Sequence, residues 1–377
     1  MKSELQQENE EEPPSRNFIL PRGEKARLTF GGLPEVVTPY LINLIGKTGG
    51  INGPIGKQFI AQPEKENRFF NVKEADPLSE DRFEVIPGLV YKYRGKKDKK
   101  GKVLYHGRVL WTITRFCASY CRFCTRGREV GLPPGSQNKL HSAIAHNHYL
   151  TYQQIDQGID FIKTHPEINE VILSGGDPLF APKEYLNYII KKISALQKEG
   201  QVEIVRIGTR LPVHSPLFIK DWHYSLLKNI HNPYLMVHFN HPEEITPQVI
   251  KVLDRFRQEC NALILSQTVL LKGVNDSLKT LYELFVKLTK EGVRPYYLYQ
   301  NDPVCWSRHF TVEPKKAIRL WQQLRPRISG LAGTARFVID TPFGFGKIPL
   351  PEGDAWKVDY SSFNDFKKKP HLIDLGH

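Results

Sequence analysis

The sequence has no apolar run of 18 residues, and its first residues, Met1 to Glu4, are polar. A chain without such a run offers no candidate transmembrane helix, and a polar start is unlike the apolar core of a secretory signal peptide. We therefore expect a cytoplasmic protein with no membrane partner. The 40% hydrophobic and 11% aromatic content are those of an ordinary globular chain.

Cysteine is also scarce, with 5 in 377 residues, and three of the five fall between positions 117 and 124. A disulfide framework belongs to short secreted chains, whereas clustered thiols in a cytosolic chain are typical of metal ligands or catalysts. Cys260 and Cys305 stand alone and are interpreted as small apolar residues.

Acidic residues are fewer than basic ones: the chain has 40 Asp and Glu and 53 Lys and Arg, which gives a net charge of +13. Such a charge suits a polyanionic partner. The excess is scattered, however, and the two dense basic runs, at 96–100 and 367–369, lie in predicted loop or tail. We therefore do not expect nucleic acid to be a partner.

The chain divides into four predicted parts. Residues 1–16 are acidic and proline-bearing, which predicts a disordered tail. Residues 17–104 mix helical stretches with Gly and Pro turns and are predicted to form a mostly helical N-terminal cap. Residues 105–350 carry the main α/β domain, and 351–377 form a short C-terminal tail.

The main domain alternates short apolar runs with helical segments. The predicted strands are 109–114, 170–176, 203–209, 235–240, 262–271, 295–300 and 335–342. The candidate helices are 152–164, 183–198, 246–258 and 278–291. This alternation predicts a parallel sheet covered on both faces, built as a partial or full βα barrel. Functional residues of such barrels lie where strands end, and polar residues cluster there: 114–124, 174–177, 209–210, 238–241 and 300–302.

Cys117, Cys121 and Cys124 form a C-x3-C-x2-C spacing directly after the first predicted barrel strand. Three thiolates suit a [4Fe–4S] cluster, although a storage cluster has four cysteine ligands. Three ligands leave one iron open to a chelating substrate. The alternative is structural zinc, which requires four closed ligands, and no second cysteine pair is present.

This spacing, with Phe123 just before the last cysteine, resembles that of the radical S-adenosylmethionine (SAM) enzymes. The resemblance implies that the open iron binds the amino and carboxylate groups of SAM, that Phe123 lies near the adenine, and that a flavodoxin or ferredoxin donates an electron. That electron cleaves the sulfonium and releases a 5′-deoxyadenosyl radical.

The segment Ser174-Gly175-Gly176-Asp177 ends the second predicted strand. Two glycines let a ligand approach the backbone, and the Asp177 carboxylate is able to accept hydrogen bonds from an ammonium group. The segment resembles the radical-enzyme motif that holds the amino group of SAM.

Across residues 75–350 the sequence resembles the lysine 2,3-aminomutase family. The resemblance is carried by DPLSED, VIPGLVYKY, CASYCRFCTRGR, VILSGGDPL, EIVRIGTRLP, HFNHPEEIT, SQTVLLKGVND, RPYYLYQND and FVIDTPFGFGK. It implies a second cofactor, pyridoxal phosphate, cofactor contacts from His238 and Gln267, and a homo-oligomer. It also implies transfer of the α-amino group of L-lysine to C3 through a pyridoxal phosphate imine, which gives β-lysine.

Pyridoxal phosphate needs a lysine that forms an imine in a place where its pKa is lowered. Lys347, after a predicted strand and a Gly-rich turn, is the natural candidate and matches the family's pyridoxal lysine. Phe343 and Phe345 interrupt the glycine run of the family at this point. A phosphate-binding P-loop is excluded, because Thr341 and Ile348 stand where that motif needs Gly and Ser or Thr.

The phosphate of this cofactor calls for an arginine. Arg108 matches a phosphate-contacting arginine of the family, and Arg206 and Arg210 are weaker candidates. Arg126 matches the arginine that pairs with the substrate carboxylate.

Asp302 and Asp340 match the two aspartates that grip the distal ammonium group of lysine. Another cationic amino acid, arginine or ornithine, stays open as the substrate. A radical SAM enzyme that modifies RNA is a further alternative, although no RNA-binding module is apparent. None of the 30 residues after Lys347 is cysteine and Ser277 stands where a partner cysteine would be, so the family's C-terminal structural zinc is not expected.

Overall fold

The protein is described here by a computed structural model that covers residues 33, 35–66, 75–130, 149–342, 346–351, 362–364 and 370–372, the last two without side chains. The predicted tail at 1–16 and the basic run at 367–369 lie outside the described residues. Phe343 to Phe345 of the Gly-rich turn lie outside them as well.

The strands are short in the N-terminal part and longer in the main domain. They are β1 (Glu84–Ile86), β2 (Leu89–Tyr93), β3 (Lys96–Lys97), β4 (Val103–Tyr105), β5 (Gly107–Thr114), β6 (Ile168–Gly175), β7 (Ile204–Thr209), β8 (Tyr234–His238), β9 (Leu263–Leu270), β10 (Arg294–Gln300), β11 (Arg336–Ile339), β12 (Ile348–Pro349), β13 (Ser362–Asn364) and β14 (Pro370–Leu372).

Helices precede and separate the strands of the main domain. They are α1 (Pro39–Lys47), α2 (Gly56–Phe59), α3 (Pro63–Glu66), α4 (Tyr152–Thr164), α5 (Lys183–Lys198), α6 (Leu211–His214), α7 (Asp221–Leu227), α8 (Pro247–Cys260), α9 (Leu278–Lys290) and α10 (Pro314–Leu324). Short 3-10 turns lie at Gly50–Asn52, Asp81–Phe83, Pro178–Phe180, Pro216–Phe218, Pro242–Glu244, Arg308–Phe310, Arg325–Arg327 and Ala332–Thr334.

The main sheet runs in the order β1-β2-β5-β6-β7-β8-β9-β10-β11-β12. Strands β5 to β11 pair in parallel with their neighbours, and each is joined to the next through one or two helices. Antiparallel strands close both edges, β2 and β1 beside β5 and β12 beside β11. Strands β5 to β11 form one parallel sheet with helices between them, which confirms the predicted partial βα barrel. Within the described residues β1 and β12 do not pair.

Side chains of the barrel strands alternate between the outer helices and an interior cavity. In β5, Val109 and Trp111 are fully buried toward the helices, where Trp111 lies so close to Gly158 of α4 that a Cβ there would be 2.3 Å from the indole. Arg108 and Leu110 of the same strand line the cavity. A period of two therefore places apolar residues in the core and leaves the other face for polar ones.

The helix and strand predictions agree closely with the structure. The predicted helices at 152–164 and 183–198 have the bounds of α4 and α5. Thr151 caps α4 with a capping box through Gln154, the local signal that starts a helix. The predicted strand at 335–342 is shorter, because β11 ends at Ile339.

Residues 84–105, which sequence analysis assigned to the N-terminal cap, form four strands, and two of these extend the main sheet. Before them, α1, α2 and the residues that precede these helices contribute Val37, Leu41, Leu44, Ile55 and Phe59 to a small apolar cluster against which Cys121 packs. The N-terminal segment therefore lies directly against the cysteine loop.

Candidate active site

A cavity of about 700 Å³ opens at the ends of the parallel strands. It is lined by every residue that sequence analysis proposed for the site: Cys117, Cys121, Cys124, Phe123, Arg126, Arg108, Ser174, Gly175, Gly176, Asp177, His238, Gln267, Asp302, Asp340 and Lys347. These residues lie on six of the parallel strands, β5, β6, β8, β9, β10 and β11, or in the loops that follow them, and the barrel brings them together at one cavity.

The three cysteines lie on the loop that follows β5. Burial and the negative charge of neighbouring groups, including the other cysteines, raise the pKa of Cys117 well above its ordinary value and that of Cys124 to about 12. Thiolates held this close repel one another unless a cation offsets their charge. Among the described residues no three His, Cys, Asp or Glu side chains converge on a single ion. A cubane does not require this, because its cysteines bind separate iron atoms, so the loop fits a polynuclear cluster.

Arg210 reaches the cysteine loop from the end of β7. Its Nη1 donates to the Cys121 Sγ over 2.8 Å, and its Nη2 donates to Gln58 and to Glu244. Sequence analysis weighed Arg210 as a phosphate ligand. The structure directs its guanidinium to a cysteine sulfur instead.

Gly175 and Gly176 are needed for close packing of backbone on backbone. A Cβ on Gly175 would lie 2.1 Å from the Thr114 carbonyl oxygen, and one on Gly176 would lie 1.9 Å from the Phe116 carbonyl oxygen. The amide of Gly176 donates to Thr114 over 2.7 Å. From the sequence, the two glycines were predicted to let a ligand approach the backbone. The structure shows that they already let the β6 loop pack against the start of the cysteine loop.

Asp177 forms several hydrogen bonds within the protein. Its carboxylate accepts the Thr209 hydroxyl over 2.8 Å and the amides of Arg210 and Leu211 over 2.8 and 3.0 Å. Burial raises its pKa to about 6, while these donors lower it. Asp177 therefore joins the β6 and β7 loops while it also lines the cavity, and its role as an acceptor for an ammonium group stays a prediction.

Phe123 and His238 form an aromatic wall of the cavity, with ring centroids 5.5 Å apart. Burial and the positive charge of Arg210 lower the pKa of His238 to about 3. The ring is therefore neutral at physiological pH, and its Nε2 lies 3.0 Å from the Asn240 Oδ1. An apolar, uncharged wall suits a flat neutral base such as adenine.

Lys347 and Asp340 face each other across the turn that follows β11. The Lys347 Nζ donates to the Asp340 Oδ2 over 2.6 Å and lies 5.1 Å from the Tyr299 ring centroid. Burial lowers the pKa of Lys347, but the Asp340 carboxylate outweighs it and raises the pKa above its ordinary value. The predicted lowered pKa of Lys347 is therefore wrong, because the carboxylate assigned to the substrate pairs with the lysine.

Asp302 is the second carboxylate of this end of the cavity. Burial, followed by the nearby charge of Asp340, raises the pKa of Asp302 to about 7, although the Thr125 hydroxyl donates to it over 3.1 Å. Two carboxylates held this close favour a cation between them.

Arg126 already holds a carboxylate of the protein. Its Nε and Nη2 donate to the two Glu80 oxygens over 2.8 and 2.6 Å, and its Nη1 donates to the Ser174 Oγ over 3.1 Å. Sequence analysis expected this fork to face a substrate carboxylate. Glu80 occupies two of its donors, so the Nη1 side next to Ser174 is the part of Arg126 that faces the cavity.

Lys92 of β2 is a second half-buried lysine that lines the cavity. Burial lowers its pKa, and its Nζ donates to the carbonyl oxygens of Leu78 and Thr341. The neighbouring Tyr93 ring lies under Arg108, whose guanidinium carbon is 3.9 Å from the ring centroid. Arg108 is stacked on this ring and lines the cavity, where its guanidinium fits a phosphate.

Several of these cavity residues were not identified by sequence analysis. Glu80 and Lys92 belong to the segment assigned to the cap, and Glu170 pairs inside the barrel with Arg206, which the sequence had offered as a weaker phosphate candidate. A charged residue inside an apolar strand, such as Lys92 in LVYKY, was the available signal, because a lone charge on a strand needs a buried partner or water.

A model of the radical SAM superfamily matches residues 111–285. The chain is 37% identical to the L-lysine 2,3-aminomutase of Methanococcus maripaludis, an alignment that covers 84% of this chain and 66% of that protein. It is also 37% identical to the L-lysine 2,3-aminomutase of Clostridium subterminale, over 84% of this chain and 69% of that one. A glutamate 2,3-aminomutase of Clostridioides difficile is 33% identical over 65% of this chain and 54% of its own length.

The chain spans about two thirds of the length of the Methanococcus and Clostridium lysine aminomutases. Among solved structures, a radical SAM methyltransferase from Sphaerobacter thermophilus matches with a TM-score of 0.44 and 18% identity, over 67% of this chain and 77% of that one. No helix in the described ranges has both the length and the apolar composition to cross a membrane.

Proposed function

Because the chain belongs to the lysine 2,3-aminomutase family of radical SAM enzymes, we propose that it moves the α-amino group of L-lysine to C3 and so forms β-lysine. One observation carries the proposal. A single cavity holds three clustered thiols, a half-buried lysine amine and two neighbouring carboxylates. The thiols are the ligands that an iron–sulfur cluster requires, the amine is the group that a carbonyl cofactor requires, and the carboxylates are the groups that a cationic side chain requires.

The cofactors of this family are a [4Fe–4S] cluster, SAM and pyridoxal phosphate. When bound, they supply an adenosyl radical that removes hydrogen from C3 of the substrate and an aldehyde that carries its α-amino group. In this chain Cys117, Cys121 and Cys124 would hold the cluster. Phe123 and the neutral His238 ring would face the adenine, with Gln267 nearby on the same cavity wall.

The loop Ser174 to Asp177 would shape the SAM site through its backbone. This assignment rests on the packing of both glycines against the start of the cysteine loop. Asp177 would act as a positioning residue, since its carboxylate holds the end of β7 in place. Ser174 also accepts from Arg126, so the loop connects the SAM side of the cavity with the substrate side.

Lys347 would bind pyridoxal phosphate and Arg108 would hold its phosphate. Lys92 is the other amine of the cavity, but its Nζ is tied to two carbonyl oxygens. The Lys347 Nζ instead pairs with Asp340, beside the Tyr299 ring. A single carboxylate partner is easier to exchange than two backbone acceptors, so Lys347 is the better anchor.

Asp302 and Asp340 would bind the distal ammonium of the substrate, and the Nη1 of Arg126 would bind its carboxylate. The charge of the cavity then discriminates between substrates. Two carboxylates attract the cationic end of lysine and repel the side-chain carboxylate of glutamate. We therefore propose lysine as the substrate, although one of the relatives is a glutamate aminomutase. Arginine and ornithine also end in a cation and differ from lysine in length and shape.

The test is an anaerobic assay of the reconstituted enzyme with lysine, arginine, ornithine and glutamate, with products identified by chromatography and mass spectrometry. We expect β-lysine as the main product. Faster turnover of glutamate than of lysine would refute the assignment. A spectrum that shows iron–sulfur absorption and no pyridoxal band would favour the RNA-modifying alternative instead.

We further propose that a flavodoxin or ferredoxin supplies the electron, that the protein forms a homo-oligomer and that it resides in the cytoplasm. The electron donor is required because the cluster must be reduced before SAM is cleaved. The cytoplasmic location is supported by the clustered thiols, which a reducing compartment keeps free for metal.

A further inference from the structure

We infer that Arg210 is a positioning residue of the iron–sulfur site, which donates a hydrogen bond to the Cys121 sulfur and thereby raises the reduction potential of the cluster. The inference rests on the proposed function for the presence of the cluster. It adds a group that the cysteine spacing does not reveal, from a loop 89 residues further along the chain.

The contact between Arg210 and Cys121 is direct and shielded from water. The Nη1–Sγ distance is 2.8 Å, and only 5% of Arg210 is exposed. A guanidinium cannot lose its proton in a protein, so this donor and its charge are permanent.

A buried network fixes the guanidinium in place. Its Nη2 donates to the Gln58 Oε1 over 2.6 Å and to the Glu244 Oε1 over 2.7 Å. Gln58 is fully buried. Its main-chain carbonyl oxygen accepts a hydrogen bond from the main-chain amide of Arg122 in the cysteine loop over 2.9 Å. Helix α2, which carries Gln58, thus braces both the loop and the arginine that faces it.

The other end of the network holds Glu244 against the β8 loop. The Glu244 Oε2 accepts the amides of Asn240 and His241 over 2.6 and 3.0 Å. The Asn240 side chain donates to Gln58 over 2.9 Å. With both carboxylate oxygens engaged, Glu244 leaves the Nη1 of Arg210 directed at the sulfur.

The chemical consequence follows from charge. Reduction adds one electron to the cluster, and part of the added negative charge lies on its sulfur ligands. A permanent N–H donor at such a sulfur stabilises the reduced state more than the oxidised state, so it raises the potential. Hydrogen bonds to sulfur and local burial are among the factors that set cluster potentials.

The test is the midpoint potential of the cluster in the anaerobically reconstituted enzyme, followed by electron paramagnetic resonance during a redox titration. We expect Arg210→Lys to keep the positive charge but to lose the guanidinium, which donates to Cys121 and to Glu244 at the same time. This variant should shift the midpoint to a more negative potential. The double variant Arg210→Gln, Glu244→Gln removes the charged guanidinium donor without leaving the buried carboxylate unpaired, and it should shift the midpoint further in the same direction.

Arg122→Lys is the matched control. Arg122 is a buried arginine in the cysteine loop that pairs with Glu66, so this variant tests the loss of a guanidinium elsewhere in the same loop. Its midpoint should stay at the wild-type value. Midpoints of both Arg210 variants equal to that of the wild type, at full iron content, would overturn the inference.

A second measurement needs no variant and covers the case in which the Arg210 variants fail to assemble a cluster. Wild-type enzyme labelled with ¹⁵N-guanidino arginine should show a ¹⁵N coupling to the reduced cluster in pulsed paramagnetic resonance. Absence of any arginine nitrogen coupling would refute the hydrogen bond. Failure of the wild-type enzyme to assemble any iron–sulfur cluster on reconstitution would instead refute the proposed function, so the two failures are distinguishable.

Discussion

Lys347 and Asp340 form an ion pair of 2.6 Å inside the cavity. One residue of this pair was expected to hold the cofactor and the other the substrate. Under the proposed function Asp340 would have two alternative partners, the amine of Lys347 and the distal ammonium of an incoming lysine. Linkage of Lys347 to pyridoxal phosphate before the substrate enters would take away the free ammonium of Lys347 and leave the Asp340 carboxylate available to the substrate.

The first prediction concerns Asp340→Asn and loading of the cofactor. Covalent linkage needs the neutral amine, and Asp340 raises the pKa of Lys347, so wild-type loading should accelerate as the pH rises. Without this charge, burial lowers the pKa of Lys347, and loading at neutral pH should be faster by roughly tenfold for each unit of pKa lost. The measurement is the rate of borohydride-trapped label on Lys347.

Asp156→Asn is the control, because Asp156 pairs with Lys192 at the surface. It should load like the wild type. An Asp340 variant that loads at the wild-type rate with the same pH profile would contradict the exchange of partners, and label on Lys92 would reassign the anchor.

The second prediction concerns the cluster ligands. Replacing Cys117, Cys121 or Cys124 with Ala should remove the cluster and all cleavage of SAM, since each thiolate binds a separate iron. Cys260→Ala is the control, because that thiol is buried and donates to the Tyr224 carbonyl. Iron content and deoxyadenosine release are measured. Full iron content with retained cleavage in any cluster-ligand variant would count against the assignment.

The third prediction concerns turnover of lysine. Asp302→Ala or Asp340→Ala should cost about 2–5 kcal/mol in kcat/KM, as truncated buried charge pairs do. Asp276→Ala is the control, since Asp276 pairs with Lys316 outside the cavity and should change kcat/KM little. Unchanged kcat/KM in both cavity variants would exclude these carboxylates as the ammonium site.

The fourth prediction uses the pKa of Asp302, which is raised to about 7. Near neutral pH this carboxyl is partly protonated, and a cation bound beside it favours the ionised form. Binding should therefore release a proton and tighten as the pH rises through about 7. Calorimetry with 6-aminohexanoate, in buffers of different ionisation enthalpy, measures this release without a contribution from an α-amino group.

Hexanoate lacks the ammonium and serves as the control, with no proton release expected. Asp302→Asn should remove most of the release seen with 6-aminohexanoate. Equal heats in all buffers for the wild type would show that Asp302 does not meet the ammonium.

The fifth prediction concerns stability. Glu66→Ala leaves Arg122 without its carboxylate, in a pair whose side chains are 1% and 0% exposed. This should reduce the free energy of unfolding by about 3–5 kcal/mol. Glu259→Ala removes an exposed partner of Arg255 and should reduce the free energy of unfolding much less, because solvent screens an exposed ion pair. Urea unfolding measures both, and equal losses would contradict the buried role of Glu66.

The sequence by itself determined the elements and the inventory of the site. The helix bounds of α4 and α5 follow from apolar period and from the capping box at Thr151, which act within a few residues. The cysteine spacing and the polar residues after the strands are local signals as well, since each is visible within a few residues of sequence. Because parallel strands of a barrel end at one face, all the proposed site residues line one cavity.

Only the tertiary structure decided which of these groups are partners. Glu80 holds Arg126 from 46 residues earlier in the chain, Arg210 donates to Cys121 across 89 residues, and Asp340 pairs with Lys347. No local pattern encodes these pairs, because they form when the sheet brings distant loops together. Burial then sets the cost of leaving each charge unpaired, and that cost determines whether Asp340, Arg126 or Asp177 is free for a ligand.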